Sequence, residues 1–157
     1  MQKIVPGPCP SCSLEIDFRY QTENIPYFSD ILIISANCPH CGYRYVDTQT
    51  LASTEPSRHT LAVTSAEDLA IRVVRSMTAS LAIPELGVEI GPGPACTGFV
   101  TNVEGVLDRI EQVVVAAERE GDPDQKENAK TLLGRLAQAR EGNLAFTLIL
   151  DDRSGNS

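Results

Sequence analysis

The sequence predicts an α+β chain in two unequal parts, and three observations predict it. Apolar residues alternate with polar ones, or gather in short β-branched runs, along most of residues 14–90, the pattern of strands. Residues 103–141 carry apolar side chains at helical spacing, interrupted once at Gly121-Asp122-Pro123, the pattern of two helices joined by a short turn. Four of the five cysteines fall in the first 41 residues as two Cys-x-x-Cys pairs, which sets that region apart from the rest. We place the first part at 1–51, a linker at 52–59 and the second part at 60–157.

The first pair is Cys9-Pro10-Ser11-Cys12, and after 25 intervening residues comes Cys38-Pro39-His40-Cys41. Two residues between thiols let one tight turn aim both sulfurs at a single ion. Two such turns supply four thiolates, which close a tetrahedral zinc shell at about 2.3 Å per bond. Iron in a rubredoxin-like shell is the alternative for the same donors. A disulfide framework suits a cytosolic chain with an odd cysteine count poorly, and a thioredoxin-like pair needs a βαβ setting. Gly42 follows the second pair and is free to take a positive φ. Ser13 stands at the equivalent place after the first, so that knuckle departs from symmetry and zinc is favoured over iron. Four protein donors leave no position for water or substrate, so one structural Zn²⁺ is expected, holding a fold together rather than catalysing.

Between the pairs, Leu14, Ile16, Phe18 and Tyr20 share one face of a strand at 14–20. The apolar run 31–36 leads a second strand into Cys38, and 43–51 is a third. This is a zinc ribbon. The connection carries Ile25-Pro26-Tyr27-Phe28. These apolar residues, with Tyr43, Arg44 and Tyr45, are candidates for a partner surface, though aromatic packing in a ribbon with little core of its own explains them as well.

Past the linker, strands are expected at 60–64, 71–75, 79–83 and 86–90, with a capped turn opened by Ser65. Prolines and glycines then break the chain into turns as far as Gly98. The first helix has its apolar stripe at Val103, Val106, Leu107, Ile110, Val113, Val114 and Ala117, with a capping box from Thr101 to Glu104. The second opens on Asp122 and Pro123 as N-cap and N1. It carries Ala129, Leu132, Leu133, Leu136 and Ala137, and stops at Gly142. Residues 144–150 return as a buried strand, and the charged tail 151–157 is expected in solvent. Cys96 reads as a small buried hydrophobe, and His40 as exposed at a knuckle tip.

Thirteen basic residues against 21 acidic ones give a net charge of -8. That balance opposes nucleic-acid binding, which gains affinity by neutralising phosphates. Arg19, Arg44, Arg58 and Arg72 are too scattered to predict a basic patch. No stretch approaches the roughly 20 apolar residues that cross a bilayer, and the amino-terminal residues lack the apolar core of a signal peptide, so the cytoplasm is the expected location. No Ser/His/Asp set, phosphate loop or HExxH helix occurs, and no enzymatic activity is expected.

Several segments together resemble the ZPR-type zinc-finger family, in its short single-module archaeal form. They are the two cysteine pairs with their spacing, IPYF at 25–28, CPHCGYR at 38–44, EDLAIRVVRS at 67–76, ASLAIPELGVEI at 79–90, TNVEGVL at 101–107 and DDRSGNS at 151–157. The resemblance implies a zinc ribbon beside a β-rich domain of double-stranded β-helix type, with a helical hairpin inserted at about 103–141. Cys9, Cys12, Cys38 and Cys41 match the family's zinc ligands, and it offers no catalytic residue to carry over. It also implies a protein partner, translation elongation factor 1-alpha, which eukaryotic members bind and help to mature. A nucleic-acid-binding zinc ribbon is the alternative.

Overall fold

Residues 1–26, 29–52, 55–92 and 97–157 are described by a computed structural model. Tyr27, Phe28 and Cys96 lie outside the described residues.

The amino-terminal part is a four-stranded antiparallel sheet in the order β1-β2-β3-β4, formed by Gln2–Pro8, Glu15–Ile25, Ser29–Asn37 and Arg44–Thr50. The alternation read over 14–20 holds from Ile16 onward: Ile16 is buried, and Phe18 and Tyr20 are half-buried on the same face. Leu14 is exposed instead, because it belongs to the knuckle and offers its carbonyl to the N–H of Cys9. Strand β1 was not among the expected strands, and its Pro6, Gly7 and Pro8 are residue types depleted in strands. It lies at the sheet edge, where a missing proline N–H costs nothing on the solvent side. The Phe18 ring covers Gly7 closely, at 3.2 Å from where a Cβ would stand.

The second part has a four-stranded sheet ordered β5-β10-β7-β8 and a two-stranded sheet β6-β9. Their ranges are Ser57–Val63 for β5, Arg72–Arg75 for β6, Ala79–Ile83 for β7, Val88–Ile90 for β8, Phe99–Asn102 for β9 and Phe146–Asp152 for β10. The expected strand at 86–90 is shorter, because Pro84–Leu86 forms a 3-10 turn closed by Gly87 at φ 65. The polar stretch read as a linker over 52–59 is also shorter. Ser57, Arg58 and His59 already pair with Asp152, Asp151 and Leu150, as an edge strand with one wet face tolerates polar residues. Ser65 opens the expected capped turn over Ala66–Ala70, whose Asp68 carboxylate accepts from the Thr64 and Ser65 N–H groups.

Helices α1 (Val103–Glu120) and α2 (Pro123–Arg140) form the expected hairpin. Asp122 caps α2 and Gln125 completes the box. The cap of α1 is Asn102 rather than Thr101: its side chain accepts the Gly105 N–H at 2.8 Å. Val103, Val106, Leu107, Ile110 and Val114 are buried, but Val113 is 66% exposed and Ala117 is exposed. In α2 the buried residues are Ala129, Leu136 and Ala139, not Ala137. The hairpin thus packs at its base against the β-rich core and projects at its tip. Arg140 ties the two helices together by pairing with Asp108 and Glu111.

Strand β10 is central. Phe146, Leu148 and Leu150 face the core with Val63, Leu81, Ile83 and the base of α1. A second cluster joins the two parts: Ile25 and Ile31 of the ribbon pack with Val74 of β6. Ile25 is therefore buried packing rather than open contact surface.

Candidate metal centre

The four predicted cysteines meet in space. All four sulfurs lie within 4.8 Å of one another. Cys9 and Cys41 stand 3.6 Å apart, as do Cys12 and Cys38. Donors about 2.3 Å from a shared centre stand roughly 3.8 Å apart at the corners of a tetrahedron, so the spacing fits one ion and is far from the roughly 2.05 Å of a disulfide.

Each cysteine pair sits on a knuckle with the same backbone plan. Cys9 N–H donates to Leu14 O and Ser13 N–H to Cys9 O, both at 2.8 Å. Cys38 N–H donates to Tyr43 O at 2.8 Å and Gly42 N–H to Cys38 O at 3.0 Å. Gly42 has φ 77 and Ser13 has φ 64. The knuckles are therefore symmetric in conformation although not in sequence, and the expected asymmetry concerns residue type alone. The donor set also fits a divalent cation electrostatically. The Leu14 backbone hydrogen bond favours the Cys12 thiolate, yet desolvation and the sulfurs of Cys38, Cys41 and Cys9 push that thiol up to about 12. Four sulfurs this close share a common charge only around a cation.

Cys9 and Cys38 are buried and Cys41 is exposed. Ile16 and Ala36 line the cluster, with Tyr43 and Tyr45 packed against it. The two tyrosines are half-buried and Arg44 is exposed. Burial, then the nearby Asp47 and Tyr43, raise the Tyr45 phenol. His40 is exposed, as expected, and is not among the grouped ligands. Arg19 and Arg44 share one face of the ribbon with Glu15 and Asp17, so that face carries both signs.

Sequence reasoning missed a second polar centre, at the tail. Asp152 is 1% exposed, and its carboxylate accepts hydroxyl hydrogens from Ser76, Thr78, Ser154 and Ser157 at 2.6–2.7 Å. It also accepts the N–H groups of Ser154 and Asn156. Asn156 in turn reaches the ribbon: its Oδ1 accepts the Thr50 N–H at 3.0 Å. The tail expected in solvent is a clasp between the two parts. The only sequence signal was its crowding of Asp, Ser, Gly and Asn, residues that bond locally to backbone. Arg75 was missed too. It is buried, and its guanidinium is held by the carbonyls of Ala79 and Thr97.

A ribbon with four converging cysteines, clasped to a β-sandwich with an inserted helical hairpin, defines a two-domain zinc-finger protein. Residues 3–56 match the ZPR1 zinc-finger domain, and residues 67–157 match the ZPR1 jelly-roll domain. A ZPR1-like protein of Methanocaldococcus jannaschii is 39% identical over 160 residues, covering all of this chain and 81% of the relative. A ZPR1-like protein of Pyrococcus horikoshii is 37% identical over 166 residues, covering all of this chain and 73% of its own length. The zinc finger chaperone zpr1 of Schizosaccharomyces pombe is 40% identical over 151 residues, which is 92% of this chain and 33% of that protein. The chain belongs to the ZPR1 family.

Proposed function

We propose that the chain is a zinc-stabilised, non-enzymatic protein-binding module of the cytoplasm, and that its partner is translation elongation factor 1-alpha, which it handles during maturation. The observation that carries this reading is the closed four-cysteine site. A saturated thiolate shell gives a metal no position for substrate, so Zn²⁺ serves here as a staple and function falls to the surfaces it holds. The fission yeast relative's name, zinc finger chaperone, supports a protein as the partner, and the elongation factor follows from the family resemblance. The mixed charge of the ribbon face at Glu15, Asp17, Arg19 and Arg44 suits a protein surface better than a phosphate backbone. Among the described residues, no helix is long and apolar enough to cross a membrane.

Affinity capture from the source cell with the parent chain and with Cys38→Ser tests this directly. The parent enriches the elongation factor and carries one zinc per chain by elemental analysis. The variant, with three thiolates, loses zinc, melts at a lower temperature in step with that loss, and captures less of the factor. A zinc-replete parent that never enriches the factor refutes the partner. Iron in place of zinc refutes the metal.

A further inference from the structure

The four sulfurs of the metal site are unequal in two ways. Cys9 and Cys38 are each 1% exposed and Cys12 is half-buried, whereas Cys41 is exposed. The 3.6 Å sulfur contacts also cross from one knuckle to the other, Cys9 to Cys41 and Cys12 to Cys38. A small oxidant in water therefore meets the shell first at Cys41, and the sulfur in contact with Cys41 belongs to the opposite knuckle. Oxidation of a cysteine follows thiolate character and exposure, and a metal-bound cysteine is already deprotonated.

Backbone pairing brackets both knuckles independently of the sulfurs. Pro8 pairs with Glu15 across the first knuckle and Asn37 with Arg44 across the second. Phe18 pairs with Ala36 to join the two hairpins just behind them. Strand β4 is also pinned from the second part of the chain, where Gly98 N–H donates to Val46 O at 2.8 Å and Met77 N–H to Asp47 Oδ1 at 3.1 Å. The sulfurs are thus mounted on a frame that holds the two knuckles side by side.

We propose that the site is a peroxide-sensitive switch in which Cys41 is the point of entry and Cys9 the resolving thiol. The Cys41 thiolate attacks hydrogen peroxide: an S–O bond forms, the O–O bond breaks and hydroxide leaves, so Cys41 becomes a sulfenic acid. The Cys9 thiolate then attacks that sulfur: an S–S bond forms, the S–O bond breaks and a second hydroxide leaves. Solvent protons convert both hydroxides to water. The electron pair lost by the sulfurs reduces one peroxide, and the metal keeps its charge. Cys12 and Cys38 remain as donors, too few for a closed shell, and the metal is released. The new bond ties one knuckle to the other, so the ribbon exchanges a metal staple for a covalent one. A thiol reductant together with the metal reverses the exchange. The switch needs a loaded four-thiolate site and is indifferent to the partner, so it and the elongation-factor reading fail separately.

The test treats the full zinc-loaded chain with an equimolar amount of hydrogen peroxide and reads released zinc with a chromogenic chelator. About one zinc is expected per peroxide consumed. A dimedone-type trap added with the peroxide should label Cys41. Without the trap, trypsin cuts after Lys3, Arg19 and Arg44, so Cys9 and Cys12 fall in residues 4–19 and Cys38 and Cys41 in residues 20–44. Mass spectrometry should then find these two peptides joined, with fragmentation placing the bond between Cys9 and Cys41. Cys41→His keeps four donors but removes the exposed thiolate, and should slow zinc release at least about tenfold. If that variant does not hold zinc, the label and the bond in the parent decide. Zinc retained under excess peroxide overturns the proposal. So does a first label on Cys9, Cys12 or Cys38. A bond inside one knuckle, seen as a single peptide lighter by a pair of hydrogens, overturns it as well, and so does a bond to Cys96.

Discussion

Ser13 occupies a backbone conformation that a side chain makes costly. Its φ of 64 matches Gly42 in the other knuckle, and the left-handed region costs an L-residue about 1–2 kcal/mol. Ser13→Gly should therefore stabilise the metal-loaded protein by about 1 kcal/mol in denaturant titration. A loss of stability would mean that the serine hydroxyl contributes more than its backbone costs. Asp152 presents the opposite case, a costly group made favourable by its partners. Burial opposes its charge, but hydroxyls of Ser157, Thr78, Ser154 and Ser76 outweigh that and hold the carboxyl well below the ordinary carboxylate range. Its proton affinity is thus lower in the folded state than in the unfolded one. The stability it contributes is complete above about pH 4, the unfolded value, and is lost as pH falls from there toward the depressed folded value. Asp152→Asn should cost about 2 kcal/mol at pH 7 and flatten the fall in melting temperature below pH 4. An unchanged acid limb would show that another carboxylate governs it.

At the level of elements, most strands and both helices follow from periodicity and caps. The departures are instructive. β1 was hidden because its prolines and glycine suppress the pattern, yet they suit an edge. The box expected between Thr101 and Glu104 did not form: Asn102, the last residue of β9, caps α1 with its side chain, and the third helical residue is Gly105, which has no side chain to reach back. Asn102→Ala should lower stability by about 1 kcal/mol. A thermal melt matching the parent would show that α1 is held by packing alone. The exposed Val113 and Ala117 show why a helical stripe over-reads burial. Periodicity marks a face, but whether a neighbour covers the whole of it depends on where the hairpin leaves the core.

In the whole molecule, two small parts are made one by contacts distant in sequence. Ile25 and Ile31 meet Val74, Gly98 N–H donates to Val46 O at 2.8 Å, and the tail bonds to Thr50 through Asn156. Gly155, at φ 70, lets the tail turn back against Glu55, where a Cβ would stand 2.1 Å from the Glu55 carbonyl oxygen. Gly155→Ala should therefore unseat the clasp, costing about 2 kcal/mol or more. Calorimetry should then resolve separate ribbon and jelly-roll transitions in place of a single one. A single transition at the parent temperature would show that the apolar cluster alone couples the two parts.

The sequence by itself determined which four cysteines converge, the ribbon, the hairpin and the two-part plan. Each rests on short-range information: a two-residue spacing between thiols, a period of two or 3.6, a cap beside its helix. Only the tertiary structure decided the role of residues 151–157 and the burial of Ile25 and Arg75. A polar tail reads as solvated because its side chains favour water when counted singly. It became a buried clasp because the fold delivers donors from Ser76 and Thr78, more than 70 residues away, to one carboxylate. No local pattern encodes that meeting.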